Sequence, residues 1–428
     1  MKILWFCNSP CGSVRRGNAK IIAGGWLISL EDEVKRCSGI SLNVAYFSDI
    51  KEVSFDFEGV KYYPMFIGSN AIGFQRVLKR YKSIEGIDKK KIPLMLDVVE
   101  DCKPDLIHIH GTEESFGLIA QYIKDIPIVY SIQGLIAPYT EKFFSGIPEK
   151  CACKYDSLYD RLKGVGIMTS FHSFCYRGER ENQYLSHAEY IFGRTFWDRN
   201  CTLALNPNRK YYVVNEILRP IFYEKRWKGF IAKDKIKIVS IISGGIYKGM
   251  ETILKTALLL KKYAGINFEW HIAGYNSTDR MVRFSEKFVG VTSYSCNVIF
   301  HGRIDAFSLA DLLCSSDMYV HVSHIENSPN SVCEAMILGM PIIASYAGGT
   351  VDMLQHGEEG ILYQDGDPYV LAGAIVSYMQ GPMTAVRYGE AARKRALLRH
   401  DKVLIVKELV NNYTLIISDF NSACRGEN

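Results

Sequence analysis

The chain has 428 residues, 48% of them hydrophobic and 23% charged, which excludes a disordered chain or a membrane-embedded helical bundle. This length predicts two or three domains, and the net charge of +5 suits an anionic ligand or a membrane surface without deciding between them. The 12 scattered cysteines, and an apolar start too short for a secretion signal, predict a cytoplasmic protein.

Strand and helix patterns alternate along the first half of the chain. Residues 2–6 and 41–47 predict buried strands, and Gly24-Gly25-Trp26 opens a helix between them that ends near Lys35. Paired glycines before a helix let backbone amides approach a phosphate or a sugar. For this dipeptide alone, a loop that needs positive φ is the simpler interpretation.

One stretch is basic, aromatic and helical in pattern: Phe74-Gln75-Arg76-Val77-Leu78-Lys79-Arg80-Tyr81-Lys82. The preferred interpretation is a solvated helix with one buried face. The alternative is peripheral contact with an anionic membrane surface, which would place the protein at the inner face of the membrane. The basic run at residues 89–91 stands beside Pro93 and predicts a loop.

The next two strands end in polar residues. Residues 106–109 predict a buried strand that closes with His110 and Gly111. A histidine at the carboxyl end of a strand can act as a base or bond to a sugar hydroxyl, whereas His108 is more simply a packed imidazole. Residues 128–132 predict the following strand, and Gln133 at its end is a further candidate for a sugar hydroxyl.

Arg194 follows the strand predicted at residues 190–193 and opens a helix. Its guanidinium could meet a phosphate or a carboxylate-bearing sugar, or it could form an interdomain salt bridge, and the sequence favours neither. Residues 223–234 are charged and have no core period, which indicates a boundary between domains. A second series of strands and helices begins at residue 237.

A glycine-rich turn follows the first strand of this second series. It runs from Ser243 to Gly249, carries Lys248, and leads into a helix at residues 250–262. A lysine and backbone amides at a helix amino terminus favour a diphosphate, although the turn has no Walker A spacing. Further strands are predicted at residues 268–273, 298–301 and 318–322. Arg303 follows the second of these strands.

Two glutamates, Glu326 and Glu334, bracket the turn after the last of these strands. A short apolar helix follows and stops at Gly339 and Pro341. Taken singly, Ser331 and Glu334 fit a capping box and Glu326 an ordinary loop carboxylate. A ligand site is the alternative, because ligands bind at the carboxyl ends of strands in open α/β sheets.

Taken together, this segment resembles the Glu-x7-Glu segment of retaining glycosyltransferases of family 4. The matching residues are Glu326, Glu334, Ala335-Met336, Gly339-Met340-Pro341 and Gly348-Gly349. The Pro-Asp-x-x-His-x-His run that ends at His110 and the Lys248-Gly249 turn resemble the same family. Two departures stand out: Gln133 replaces a frequent histidine, and Ser243-Gly244 lies where an arginine of the diphosphate clamp usually stands. Arg194 or Arg303 would have to replace that cation.

The resemblance implies an α/β protein of the GT-B fold, with two facing Rossmann-like domains and a cleft between them. Residues 1–215 would form the acceptor-side domain, with a carboxyl-terminal helix at about residues 402–420 packing back on it. Residues 216–235 would be a linker and residues 236–400 the donor-binding domain.

The resemblance also implies a reaction: transfer of a sugar from a UDP- or GDP-sugar to an acceptor hydroxyl, with retention of anomeric configuration. The acceptor would be a glycan or a lipid-linked glycan, and neither a metal, another cofactor nor a nucleic acid is implied. Lys248 would stabilise the leaving diphosphate, Glu326 would contact the donor sugar and His110 would orient a sugar. The donor-binding residues would be Gly24, Gly25, Gly245, Arg303, Asn330, Ser331, Val332 and Glu334, the last on the ribose hydroxyls. Arg194 and Gln133 would contact a phosphate or the acceptor.

Two alternatives remain at this stage. A nucleotide-sugar 2-epimerase of the same fold would share the cleft but needs an acid/base pair. A pseudo-transferase scaffold would explain the departure at the diphosphate clamp, whereas the presence of both Glu326 and Glu334 argues against it.

Overall fold

Each of two units in the chain is built on its own mainly parallel sheet. The computed structural model describes residues 1–17, 25–68, 84–156, 159, 166–230 and 235–425. Gly24 and the basic aromatic stretch at residues 74–82 lie outside these ranges. The first unit comprises Met1–Thr140, Ser157–Ile217 and Asp401–Asn428, and the second comprises Glu141–Asp156 and Leu218–His400.

The first unit contains a sheet of eight described strands in the order β3-β4-β2-β1-β5-β6-β7-β8. Only the pair β3–β4 is antiparallel among these neighbours. The strands are β1 (Lys2–Cys7), β2 (Ser41–Ser48), β3 (Phe55–Phe57), β4 (Val60–Phe66), β5 (Leu106–His110), β6 (Ile128–Ser131), β7 (Tyr190–Gly193) and β8 (Lys210–Val213). Central strands such as β5 are buried along their whole length, as expected for a parallel sheet covered on both faces.

Helices connect these strands. They are α1 (Gly25–Val34), α2 (Ile84–Cys102), α3 (Ile136–Glu141), α5 (Ile167–Leu185) and α6 (Phe196–Leu205), while α4 (Glu149–Tyr155) belongs to the second unit. The predicted loop at residues 89–91 is wrong, because these residues lie inside α2 together with Pro93. Burial of Met95, Val98 and Val99 on one face of α2 outweighs the hydrogen bond that a proline removes from a helix.

The second unit contains six described strands, all parallel, in the order β11-β10-β9-β12-β13-β14. They are β9 (Ile236–Ile241), β10 (Phe268–Ala273), β11 (Val298–Gly302), β12 (Met318–His321), β13 (Ile342–Tyr346) and β14 (Ile361–Gln364). The helices are α7 (Pro220–Glu224), α8 (Met250–Leu259), α9 (Arg280–Val289), α10 (Ala306–Cys314), α11 (Asn330–Leu338), α12 (Pro368–Gln380) and α13 (Pro382–Arg399).

The predicted linker at residues 216–235 packs into a core in its described part. Phe222 and Trp227 are buried among apolar residues of the second unit, and the Trp227 indole donates a hydrogen bond to the Ser316 carbonyl at 2.8 Å. These two buried aromatic side chains order the segment although its hydrophobic residues have no helical or strand periodicity. The two units also differ from the predicted boundaries in placing Glu141–Asp156 in the second unit.

The final helix, α14 (Lys402–Arg425), returns to the first unit. Its buried side chains Ile405, Leu409, Tyr413 and Ile416 recur at helical spacing and join the core under β1. The Tyr413 hydroxyl accepts a hydrogen bond from the Trp5 indole at 2.9 Å and bonds to Nδ1 of His108 at 2.6 Å. Within the described residues, no helix is both long enough and apolar enough to span a bilayer.

Candidate active site

The order of the second sheet creates a switch point between β9 and β12. The chain runs from β9 outward to β10 and β11, and it then returns to add β12 on the other side of β9. Connections therefore leave in opposite directions at the carboxyl ends of β9 and β12, and such a crevice is where open α/β sheets bind ligands. Lys248 lies in the turn after β9, and Glu326 lies in the turn after β12.

Lys248 and Glu326 form an ion pair at this switch point. Glu326 also accepts a hydrogen bond from the Ser323 hydroxyl at 3.2 Å. The side chains of Lys248 and Glu326 are 20% and 15% exposed, so both are mostly buried but still reached by solvent. The structure thus brings together two of the three residues predicted to be catalytic.

Both members of the pair are charged at neutral pH. Burial alone would lower the pKa of Lys248, but the negative charge of Glu326 raises it above its usual value. Burial would likewise raise the pKa of Glu326, but the nearby charge of Lys248 holds it below its usual range. Burial lowers the pKa of the neighbouring His321 to about 4, so this imidazole is neutral.

The turn that carries Lys248 is pressed against the end of β12. Gly249 has φ +79°, and a Cβ there would lie 2.1 Å from the carbonyl oxygen of Val322. Glycine is therefore required both by the left-handed backbone and by the close approach. At the other end of the turn, a Cβ on Gly245 would meet the Tyr247 ring at 2.3 Å.

The amino terminus of α11 differs from the predicted capping box. Pro329 occupies the N-cap position without a side-chain cap, and Ser331 lies inside the helix. The Glu334 carboxylate instead accepts two hydrogen bonds from Arg219, both at 2.8 Å. The capping-box interpretation is wrong, because a bidentate partner more than a hundred residues away in sequence takes the carboxylate.

Two donor-side predictions are affected by the start of α11. The Val332 amide donates to the Pro329 carbonyl at 2.9 Å, which disfavours its predicted contact with a phosphate. Asn330 is different, because its side-chain oxygen is buried and has no hydrogen-bond partner among the described residues. A buried oxygen of this kind is expected to find a donor, so Asn330 stays a candidate for ligand contact.

His324, beside the pair, is sandwiched between two carboxylates. Its Nε2 lies 2.7 Å from Glu251 and its Nδ1 lies 2.6 Å from Asp365. Burial alone would lower the pKa of His324, but hydrogen bonds to Asp365 and Glu251 raise it to about 9. The imidazole therefore carries a positive charge at neutral pH and offsets the buried charge of Glu251.

The first sheet has its own switch point, between β1 and β5, and His110 ends β5 there. Its ring is buried against Trp5 at 4.5 Å between ring centres, and neither ring nitrogen has a hydrogen-bond partner among the described residues. Burial keeps the pKa of His110 well below its usual value. A neutral imidazole offers one donor and one acceptor, which a hydroxyl can satisfy, and the lowered pKa makes His110 a weak base.

Gln133 and Glu113 lie close to each other at the same end of the first sheet. A Cβ on Gly111 would lie 2.2 Å from Glu113 Oε2 and 3.3 Å from Gln133 Nε2, so the two atoms converge on one point. Both are buried without a hydrogen-bond partner in the described part of the chain. One is an acceptor and the other a donor, the pair that a hydroxyl group can satisfy.

The remaining predicted residues lie in different settings. Arg194 pairs with Glu216 at 3.3 Å inside the first unit and stacks on the Trp26 ring at 4.4 Å. It therefore forms a salt bridge, as one alternative predicted, but with a residue of its own unit. Arg303 is exposed and follows β11, which is separated from β9 by β10. Gly25 begins α1.

Sequence patterns missed Arg219, Glu113, and the partners of His324. Arg219 precedes a proline just before the aperiodic segment at residues 223–234, and no local signal links it to Glu334. Glu251 and Asp365 are ordinary helix-start and turn residues in sequence. An alignment of pairs that vary together is the kind of signal that could have linked these contacts.

A cavity of about 1260 Å³ lies elsewhere in the second unit, between the segment at residues 224–229 and helices α10 and α13. Among the residues that line it are Trp227, Asp311 and Arg393. None of the predicted site residues that the structure describes lines this cavity, so its size does not make it the active site.

The second unit matches a known family. Residues 222–395 match the family model of glycosyl transferases group 1. This part of the chain is therefore similar to glycosyl transferases group 1 domains. The match covers the Lys248 turn and the whole Glu326–Glu334 segment, in accord with the resemblance seen in the sequence.

Curated relatives match over part of the chain. A GDP-mannose-dependent alpha-mannosyltransferase of Mycolicibacterium smegmatis is 32% identical over 120 residues, which are 28% of this chain and 31% of the relative. An N-acetyl-alpha-D-glucosaminyl L-malate synthase of Bacillus anthracis is 29% identical over 122 residues, 28% of this chain and 32% of the relative. The matched segments thus span about a third of each relative's length.

Solved structures match over nearly the whole chain. Sucrose-phosphate synthase from Thermosynechococcus elongatus gives a TM-score of 0.70 at 16% identity and covers 98% of this chain and 99% of that one. HepE from Anabaena, in complex with UDP and glucose, gives 0.65 at 17% identity over 97% and 99%. At these identities the likeness concerns the fold alone. It confirms the predicted fold class: α/β, with the two Rossmann-like sheets of the GT-B fold.

Proposed function

We propose that the chain is a retaining glycosyltransferase that moves a sugar from a nucleoside-diphosphate sugar to an acceptor hydroxyl. The Lys248–Glu326 ion pair at the switch point of the second sheet carries this proposal. It joins a cation suited to a phosphate with a carboxylate suited to sugar hydroxyls, and both stand in the part of the chain that matches the glycosyl transferases group 1 family.

Lys248 would stabilise the leaving diphosphate. It stands just before the amino terminus of α8, where the helix dipole and the first backbone amides also favour negative charge. A charge that is fixed in place before the reaction can stabilise a transition state without reorganisation. In this role Lys248 would exchange part of its contact with Glu326 for a phosphate oxygen, while Glu326 would bind the donor sugar.

The acceptor proton needs no dedicated base in this proposal. In transfer on the same face of the sugar, the leaving phosphate itself takes the proton from the acceptor hydroxyl. His110 is neutral, and its two ring nitrogens have no hydrogen-bond partner among the described residues, so they could bind and orient a sugar hydroxyl. The same holds for Gln133 Nε2 and Glu113 Oε2. Transfer without a divalent metal follows from the same logic, since Lys248 and helix amides would neutralise the diphosphate.

The donor would be a UDP- or GDP-sugar and the acceptor a growing glycan or a lipid-linked glycan. A relative from Mycolicibacterium smegmatis is named for GDP-mannose, and HepE of Anabaena was solved with UDP. A further relative, from Erwinia amylovora, is named for amylovoran biosynthesis; it is 23% identical over 183 residues, 41% of this chain and 43% of the relative. Peripheral membrane contact through residues 74–82 remains part of the proposal.

Calorimetric binding of UDP, GDP, ADP and CMP, in the presence of a chelator, tests this function. We expect wild-type protein to bind one nucleoside diphosphate, and Lys248→Ala to weaken that binding by about tenfold to a hundredfold, the usual effect of losing a charge-assisted hydrogen bond. Lys287→Ala, which changes an exposed lysine on α9 of the same unit, is the matched control and should bind like wild type. Lack of binding by all four nucleotides would refute the proposed donor class.

A further inference from the structure

Glu334 is held by a residue that no sequence pattern singled out. Arg219 donates from Nε to one carboxylate oxygen and from Nη2 to the other, each at 2.8 Å. This parallel fork is the strongest arrangement of an arginine and a carboxylate. The Glu334 side chain is 5% exposed and that of Arg219 is 20% exposed, so the pair is largely withdrawn from water.

Arg219 is itself fixed by its surroundings. It is the N-cap residue of α7, just before Pro220, and its guanidinium stacks on the Phe222 ring at 4.8 Å. Phe222 is fully buried in the core of the second unit. The guanidinium therefore stands in one orientation before any ligand arrives, and it imposes that orientation on the carboxylate.

The fork leaves the carboxylate with unused capacity. An ionised carboxylate has about four lone-pair positions, two on each oxygen. The two hydrogen bonds from Arg219 occupy one on each oxygen and leave one on each. Two neighbouring hydroxyls on a five-membered ring, such as the 2′ and 3′ hydroxyls of a ribose, present two donors at a matching separation.

We propose that Arg219 is a positioning residue that orients Glu334 to accept both ribose hydroxyls of the donor nucleotide. This inference rests on the proposed function and deepens it. The resemblance already implies that Glu334 contacts the ribose hydroxyls, and the new assignment is that Arg219 controls the distinction between ribose and deoxyribose. A merely structural salt bridge would leave that distinction unchanged.

The charge on Glu334 also depends on Arg219. Burial raises the pKa of the Glu334 carboxyl, and the charge and hydrogen bonds of Arg219 oppose that rise. Without Arg219 the carboxyl would be more readily protonated and would lose part of its capacity to accept hydrogen bonds from hydroxyls. Arg219 thus favours hydroxyl binding by Glu334 in two ways: it orients the carboxylate and it keeps the carboxylate ionised.

The experiment compares UDP, GDP and ADP with their 2′-deoxy counterparts by calorimetry on the full chain. The measured quantity is the ratio of the two dissociation constants for whichever base binds. In wild type we expect a preference of about tenfold or more for the ribonucleotide, because 2′-deoxy ligands leave a buried acceptor without its partner. In Arg219→Gln the ratio should fall to near one, with little change in the affinity for the deoxynucleotide.

Three further variants make the result decisive. Arg219→Lys keeps the positive charge but not the two parallel hydrogen bonds, and it should retain only part of the preference for the ribonucleotide. Glu334→Gln should lose that preference. Arg226→Gln changes an exposed arginine of the same segment and should behave like wild type. If Arg219→Gln does not fold, as judged by circular dichroism, the ratio in Arg219→Lys decides the matter.

An unchanged ratio in the folded Arg219 variants would overturn the inference while leaving the proposed function in place. A wild type that binds none of the three diphosphates would remove the proposed function and the inference with it. The two failures are therefore distinguishable in a single set of titrations.

Discussion

His324 shows how a single buried residue can set a pH limit on the second unit. It is almost inaccessible to solvent and is flanked by Glu251 and Asp365, whose carboxylates hold its pKa at about 9. A histidine in an unfolded chain has a pKa of about 6.5. The folded state therefore binds a proton more tightly than the unfolded state, and that difference stabilises the fold.

We predict that wild-type stability declines as the pH rises toward and through 9. The stabilisation by His324 is fully present below about pH 6.5 and is lost above the folded pKa; the shift corresponds to about 3 kcal/mol. His324→Gln should be less stable at pH 7 by about 3–5 kcal/mol, because Glu251 is left as an uncompensated buried charge. It should also lack this part of the pH dependence. Urea denaturation between pH 6 and 10 measures both effects.

Exposed His187 gives the matched control, because His187→Gln removes a histidine of the first unit that bears no buried ion pair. Its free energy of unfolding should follow wild type across the whole pH range. If His324→Gln retained the wild-type pH dependence between 6.5 and 9, His324 would not be protonated in the folded protein.

Residues of the candidate site could be singled out from sequence where they lie within one motif. Lys248, Glu326 and Glu334 became candidates because glycines, prolines and turn residues around them form a recognisable local pattern. Arg219 lies 115 positions from Glu334, and Asp365 lies 41 positions from His324. Such contacts are created by the sheet order and leave no trace in local sequence, so a single chain could not reveal them.

At the scale of elements, the turn after β9 depends on one glycine. Gly249 combines a left-handed φ with a carbonyl oxygen only 2.1 Å from the position of a Cβ. Gly265 is also left-handed, at φ +61°, but a Cβ there would meet nothing within 4 Å. A side chain at Gly265 would therefore cause backbone strain alone, whereas a side chain at Gly249 would cause both backbone strain and a steric clash.

We expect Gly265→Ala to cost about 1–2 kcal/mol, the usual penalty for a side chain in this conformation. Gly249→Ala should cost at least about 3 kcal/mol, since the turn must also move away from β12. Thermal unfolding measures both, and nucleotide titration should show a further loss only for Gly249→Ala because Lys248 moves with the turn. Equal destabilisation by the two substitutions would contradict the close approach.

Elements were predictable to different degrees. The buried strands were found because apolar runs bounded by turn residues have few other interpretations. The helix α2 was missed because Pro93 and a basic run are local loop signals, and only burial of the far face reveals the helix. The capping box was mistaken for a related reason: a favourable local pairing lost to a bidentate tertiary contact.

At the scale of the whole molecule, the first unit is assembled from distant parts of the chain. The four buried side chains of α14 lie in the same core as Ile3 and Trp5 of β1. Each such side chain contributes about 1.5–3 kcal/mol on burial, and the total is comparable with the 5–15 kcal/mol that separates a typical folded domain from its unfolded state.

We predict that a chain ending at His400 fails to form a stable first unit. Circular dichroism and limited proteolysis should show loss of cooperative unfolding for that unit, and the exposed underside of β1 should promote aggregation. A chain ending at Arg425 keeps all of α14 and serves as the control. Normal stability of the chain ending at His400 would show that α14 is dispensable for the fold.

The return of α14 also fixes when the molecule can be completed during synthesis. The ribosome releases the strands of the first sheet long before it makes Tyr413, the residue that bonds to both Trp5 and His108. Most of the second unit, Leu218–His400, lies between these strands and Tyr413 in the chain and is synthesised in the interval. The unit whose strands emerge first is therefore the last to be completed, and until then its core lacks the four buried side chains that α14 supplies.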